Sequence, residues 1–434
     1  MPVKQTATVW MMSAMLSLIT VFADAESSVS IAETLELEAV LSEVRQKNPQ
    51  LAAARTGIEV TWAEQSQARL RPNPELELEV EDMASDKFGD FDESINIALI
   101  SQEFLTVGKR QATITIANTS VEIAELEYQV LKREVLTEAK KAFFTLLAAQ
   151  EQVNALERLL DIARRSNEIS RFRVEAGDAA PVDKLRAQIA LSQAMIVHRQ
   201  SAADEENARI ALQQLMGTLN QVLPPVGPAD TMYLLPPESA SEASLLKALH
   251  QHPAAQVMEA AVALAAGKMA LARKERWPNI VAGFGIESAP GEVDGRDESF
   301  VMELGLPLPI FDRNQGAIAA SESTHRQAEQ LRDAGHVELT TQLRQALRNY
   351  VAAWQAAKSY RDEVVPGTHR AFELVTRLYE AGEIGQLELL EAQQLLIEAE
   401  LAYIENLLGL REAQAELEGL TVTAVQNGAT RRAE

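Results

Sequence analysis

The chain has 434 residues, 47% of them hydrophobic but only 5% aromatic, and a formal net charge of −23. So acidic a chain is repelled by phosphate backbones, which excludes nucleic acid as a partner. It contains no cysteine, which excludes disulfides, thiolate metal sites and lipid attachment through an N-terminal cysteine.

Residues 1–25 read as a secretory signal. Lys4 supplies the positive start, Val9 to Phe22 the apolar run, and Ala23-Asp24-Ala25 an A-x-A cleavage site. The run is about 14 residues, short of the roughly 20 that a membrane span needs. The mature chain is expected from Glu26, and no later apolar stretch is read as a transmembrane helix.

The mature chain then repeats itself. Asn48-Pro49 recurs as His252-Pro253, and Pro72-Asn73 as Pro278-Asn279. Gly108-Lys109-Arg110 recurs as Asp312-Arg313-Asn314, and the Glu-Ala-Gly of Arg171–Asp178 returns within Thr376–Glu383. All are close to 205 residues apart, the mark of a tandem duplication. The expected organisation is a first repeat over 26–221, a Pro-rich linker over 222–240, a second repeat over 241–421 and a tail over 422–434.

Each repeat starts with a short helix ending at the Asn-Pro or His-Pro pair, then a second helix running to Pro72 or Pro278. Two strands follow in each, near 75–82 and 94–104, then near 279–288 and 298–307. In "PELELEVED" the glutamates Glu75, Glu77, Glu79 and Glu81 alternate with Leu76, Leu78 and Val80, the period of a strand with one acidic and one apolar face. Ile95, Ile97 and Leu99 are expected on an apolar face, as are Ile280, Phe284, Ile286, Phe300, Met302 and Leu304. Very long helices come next, from about Lys109 to Ala176 and from about Gln315 with a kink before Pro366. Return helices start near Pro181 and run over about Gln386–Leu420. Val182, Ile189, Ile196, Ala203 and Ile210 recur every seven residues, as do Leu390, Ile397 and Ile404, which predicts coiled-coil packing. Helices of this length predict an elongated body.

Strands apolar on one face and acidic on the other suit a membrane barrel with lipid outside and water inside. Four strands cannot close one, and an open edge in lipid leaves backbone groups unpaired. Three chains would supply about twelve strands. The expected protein is mainly α with membrane β, a trimer whose strands close one shared barrel of about twelve strands. The four glutamates then face the lumen.

With these features in hand, "LRPNPELELEVED", "SQEFLTVGKRQA", "LGLPLPIFDRNQGAI" and "RLYEAGEIGQLELLEAQ" resemble the TolC-like family of outer-membrane efflux proteins over essentially the whole mature chain. "PLPIFDRNQG" resembles the CzcC-type branch, which serves heavy-metal pumps of the resistance-nodulation-division class. The resemblance implies a homotrimer in the outer membrane of a Gram-negative bacterium, its barrel joined to a periplasmic α-helical tunnel, with a periplasmic adaptor and an inner-membrane pump as partners, and no cofactor. It also implies a periplasmic gate of Glu388 and Glu391 with Tyr379 and Asp183, and departs from the multidrug pattern at Ile384. Adaptor docking is implied at the two helical tips, with Arg173, Glu175 and Gly177 on one and Arg377, Glu380 and Gly382 on the other. Read from spacing alone, Glu391, Glu398, Glu405 and Glu412 form an acidic stripe on one helix, either lining the tunnel or solvated outside it.

No nucleophile elbow, P-loop or dinucleotide fingerprint appears, so an enzyme is not expected. The six histidines are scattered, and His250 and His252 suit helix capping better than metal binding. The expected function is a passive efflux channel for divalent heavy-metal cations. The alternatives are a multidrug or type I secretion channel and, in a different class, a soluble periplasmic coiled-coil protein.

Overall fold

The computed structural model describes residues 34–82, 94–219, 221–238, 241–291 and 295–421; the expected signal and tail lie outside them. In chain order the first repeat contains α1 (Leu37–Lys47), α2 (Pro49–Ala68), β1 (Glu75–Glu81), β2 (Ile95–Phe104), α3 (Lys109–Ala176) and α4 (Pro181–Met216). A single turn, α5 (Asp230–Tyr233), precedes the second repeat. That repeat holds α6 (Glu242–Leu249), α7 (Pro253–Glu275), β3 (Ile280–Pro290), β4 (Arg296–Gly305), α8 (Gln315–Ser359), α9 (Val365–Glu380) and α10 (Gln386–Leu420).

The duplication reaches individual hydrogen bonds. Asn48 caps α2 by accepting from the Gln50 and Leu51 N–H groups (3.0 and 3.1 Å), and its Nδ2 donates to the Leu215 carbonyl oxygen (2.8 Å). His252 caps α7 through Nδ1, which accepts from Ala254 N–H, while Nε2 meets the Gly419 carbonyl oxygen, both at 3.2 Å. Leu215 and Gly419 are themselves 204 residues apart. Each cap is followed by proline, whose missing N–H costs nothing at a helix start.

The main core lies where α1, α6 and the linker wrap the middle of the long helices. Phe143, Leu146 and Leu147 of α3 meet Leu343 and Tyr350 of α8 and Leu407 and Leu410 of α10, all buried. The linker is packed rather than loose. Leu35 pairs with Val226, Trp354 Nε1 donates to the Pro236 carbonyl oxygen (2.9 Å), and the Tyr350 hydroxyl donates to that of Pro237 (2.5 Å). Buried Arg411 donates to the carbonyl oxygens of Thr231 and Leu234 and lies over the Phe144 ring at 5.4 Å. Burial lowers its guanidinium pKa.

By length and apolar content, Glu242–Glu275 would suffice to cross a bilayer, contrary to the expectation of no such stretch. It is two helices interrupted at His250–His252, and α7 packs on α3 and α8. The side chains it buries there are small: Ala255, Ala260, Ala265 and Ala272.

All four strands form one antiparallel sheet in the order β1-β2-β3-β4. The register puts Leu76, Leu78 and Val80 on one face with Ala98, Ile100, Phe284, Ile286, Phe300, Met302 and Leu304. Apart from the small Ala98, each of these is a large side chain left exposed. One expectation is overturned. Ile95, Ile97 and Leu99 pair with Glu81, Glu79 and Glu77, so they share the acidic face and not the apolar one. Leu99 fits there because β3 offers glycines beneath it: a Cβ on Gly283 would sit 3.2 Å from the Leu99 side chain, and one on Gly285 would sit 2.3 Å from the Ala98 carbonyl oxygen. Leu99 is buried in that recess.

α3, 68 residues long, spans about 100 Å. It and α9 end at matching tips, where Gly177 (φ 85°) and Gly382 (φ 77°) take the left-handed conformation. Asp178 N–H reaches back to Arg173 O (2.8 Å) and Glu383 N–H to Leu378 O (2.9 Å), closing both helices in the same way. The kink expected before Pro366 is a π-helical turn, Tyr360–Val364, between α8 and α9.

The seven-residue pattern of α4 is used differently from expected. Against α3 it buries Ala187, Ala194 and Ser201, while Val182, Ile189, Ile196, Ala203 and Ile210 stay exposed in the single chain. Small side chains let two helices approach closely; the β-branched stripe needs other holes to fill. On α10, Ile404 is buried and Leu390 and Ile397 are half-buried.

Candidate functional site: an acidic sheet face and a helical tip

Glu75, Glu77, Glu79 and Glu81 all lie on the sheet face opposite the apolar one. Register adds Glu103 of β2, Glu287 of β3, and Asp297 and Glu303 of β4 to the same face. Glu287 and Glu303 were legible in the alternation of their own strands. Glu103 was not, because the apolar run of β2 gives the opposite phase until its partners are known. Eight carboxylates thus stand on one side of a sheet whose other side is apolar except at the hairpin end, where Glu298 lies, the polarity of a water-filled barrel wall.

The second region is the helical tip. Glu388 and Glu391 are exposed on one face of α10, while Gln386, Leu389 and Gln393 are buried on the other. Gln386 Nε2 donates to Ser166 Oγ and its Oε1 accepts from Ser170 Oγ, both at 2.9 Å, tying α10 to α3. Sequence reasoning missed this buried amide. Its only signal was a glutamine at the helix start opposite two serines one turn apart.

Tyr379 is buried, with the Arg173 guanidinium over its ring at 5.0 Å. Asp183 pairs with Arg186 on its own helix at 3.5 Å. Among the described residues no hydrogen bond or ion pair within the chain joins Glu388 or Glu391 to Tyr379 or Asp183. Glu175, Gly177, Arg377, Glu380 and Gly382 are exposed around the two tips, and Arg173 is half-buried. Higher up, Glu400 accepts from Arg158 of α3 (3.3 Å) and meets His369 Nε2 of α9 (3.0 Å), a second tie that motif reading did not find.

The stripe on α10 changes character along its length. Glu391, Glu398 and Glu405 are exposed, whereas Glu412 is half-buried near Lys141 and Glu138 of α3. Burial raises the Glu412 carboxyl pKa, with Lys141 pulling it back and Glu138 adding to the rise. A straight helix turns by about 20° per heptad against a strict seven-residue repeat, which carries the last member toward α3. Among the described residues, no three histidine, aspartate or glutamate side chains gather as a metal site.

Comparison with known proteins fits this geometry. The outer membrane efflux protein family matches residues 40–218 and 245–421. The chain is 31% identical over 374 residues to the cobalt-zinc-cadmium resistance protein CzcC of Cupriavidus metallidurans, covering 85% of this chain and 86% of that protein. It is 24% identical over 329 residues to the nickel-cobalt-cadmium resistance protein NccC of Alcaligenes xylosoxydans xylosoxydans, covering 76% and 73%. Its fold superposes on the crystal structure of CusC with a TM-score of 0.75, over 89% of this chain and 92% of that one, at 16% identity. Both repeats are matched and the sheet has the polarity of a barrel wall, so the chain belongs to the outer membrane efflux protein family, a non-enzymatic outer-membrane channel with a periplasmic helical body.

Proposed function

We propose that three copies of this chain form the outer-membrane conduit of a tripartite efflux system, and that its cargo is divalent heavy-metal cations. The observation that carries the cargo is the acidic sheet face: eight carboxylates opposite an apolar band. A lumen lined this way concentrates cations and disfavours anions without binding either tightly. Two relatives named for cobalt, cadmium, zinc and nickel resistance support the same reading.

The unpaired outer edges of β1 and β4 support closure by neighbouring copies, since an open edge in lipid would leave backbone groups unsatisfied. In this reading Glu388, Glu391, Tyr379 and Asp183 guard the periplasmic entrance. The Gly177 and Gly382 tips receive a periplasmic adaptor, and an inner-membrane pump of the resistance-nodulation-division class supplies the energy. The channel itself is passive.

The test is growth of a deletion strain on cobalt, zinc, cadmium and nickel, beside a panel of lipophilic drugs. The expected result is sensitivity confined to metals and restored by the gene in trans. Sensitivity to drugs alone would move the channel to multidrug efflux and overturn the metal reading.

A further inference from the structure

This acidic chain gathers cations where its sheet meets its helices. Arg69 and Arg71 follow α2, Lys109 and Arg110 open α3, and Arg276 and Arg313 flank the strands of the second repeat. Contacts bring these ends together. The Arg110 guanidinium donates to the Arg69 carbonyl oxygen, Lys109 Nζ to Asn279 Oδ1 (2.6 Å), and Asn314 Nδ2 to the Ala272 carbonyl oxygen (2.9 Å). The belt therefore sits at the periplasmic end of the apolar sheet face, where the lipid headgroups of the inner leaflet lie.

One part of the belt is shaped as a site. Between the end of α7 and the start of α8 opens a groove of about 630 Å³, walled by Arg276, Trp277, Arg313, Gln315, Ile318 and Glu322 among others. Neither Arg276 nor Arg313 forms an ion pair among the described residues. Arg276 lies over the Trp277 ring instead, at 5.2 Å. Each carboxylate in or beside the groove has a partner of its own: Glu322, in the wall, accepts from Arg273 (2.8 Å), Asp312 from the Asn314 N–H (2.8 Å) and Glu275 from Asn314 Nδ2 (3.4 Å). Beside the groove Leu308 and Phe311, 70% and 91% exposed, lie with Arg276 and Pro309, and Leu306, Leu304 and Met302 before them in the chain are exposed too. Two guanidinium groups without a carboxylate partner, next to exposed apolar side chains, fit a ligand with an anionic head and hydrocarbon tails.

We propose that this groove binds the phosphate of an anionic phospholipid from the periplasmic leaflet. Arg276 and Arg313 take the phosphate oxygens, and the acyl chains run past Leu308 and Phe311 toward the β4 face. The proposal rests on the outer-membrane location and is independent of the cargo.

Native mass spectrometry of the purified full-length protein, titrated with phosphatidylglycerol or phosphatidylethanolamine, tests it. The wild type is expected to retain phosphatidylglycerol preferentially, Arg276→Gln/Arg313→Gln to bind it about tenfold more weakly, and Arg199→Gln on α4 to match the wild type. Circular dichroism checks the fold; if the double variant fails it, each single variant is read alone, with about threefold weaker binding expected. Equal retention of the two lipids by the wild type, unchanged binding by folded variants, or displacement of the lipid by equimolar inorganic phosphate would overturn the proposal.

Discussion

Asn48 and His252 perform one task with different chemistry, and that difference has a consequence in pH. Each caps a helix and ties it to the far end of its own repeat. Asparagine does not titrate, but His252 caps through an Nδ1 lone pair that a proton would remove. Desolvation lowers its pKa, Arg133 adding to the effect and the Gly419 bond opposing it. The unfolded chain therefore binds a proton that the folded one refuses. The stabilisation is complete above the ordinary histidine value of about 6.5 and is lost as pH falls below it. Replacing His252 with asparagine is expected to flatten the fall in thermal midpoint between pH 7 and pH 5. Alanine at the same site is expected to cost about 1 kcal/mol at neutral pH. An asparagine variant that tracks the wild type across this range would refute the titration argument. Leu99 shows the other side of the residue scale: its apolar side chain suggests the lipid face, yet two glycines on the neighbouring strand make room for it among carboxylates.

At the scale of elements, α10 divides its surface between attachment and charge. Gln386, Leu389 and Gln393 bind it to the body, and Glu388 and Glu391 are left free on the opposite side. Glu388→Gln/Glu391→Gln is therefore expected to leave the fold intact while reducing cation selectivity in planar bilayers by a few-fold. Screening gives a second check, because the Debye length falls from about 10 Å at 0.1 M salt to about 3 Å at 1 M. Wild-type selectivity should decline over that range, and more steeply than that of the variant. Equal selectivity of the two proteins at low salt would remove these residues from the entrance. The π-turn at Tyr360–Val364 ends two residues before Pro366, so the expected kink is a widened turn inserted without ending the helical run.

For the whole molecule, the question is what completes surfaces that one chain leaves open. Among the described residues the outer edges of β1 and β4 are unpaired, and α4 exposes Val182, Ile189, Ile196, Ala203 and Ile210 at seven-residue intervals. In the proposed trimer both would meet neighbouring copies. Ile189→Glu/Ile196→Glu should leave the α3–α4 contact untouched, since Ala187 and Ala194 make it. Trimer recovered from membranes should nonetheless fall severalfold by native gel or light scattering. Unchanged trimer yield would mean that this stripe faces water.

Much of this architecture was legible in the chain. The duplication stands in landmarks such as Asn48-Pro49 and His252-Pro253, and helix ends stand in Gly177, Pro181 and Gly382, because glycine and proline impose backbone geometry locally. Strand alternation in Glu75–Glu81 likewise needs no partner to be recognised. The sequence by itself thereby determined the repeat, the element order and the presence of an acidic and an apolar strand face. Tertiary structure alone decided which face Ile95, Ile97 and Leu99 occupy, which heptad stripe of α4 is buried, and that Gln386, Arg411 and the linker form ties across the body. A period reports that two faces differ, whereas which face is covered depends on the pairing register and packing distance of residues up to about 200 positions away.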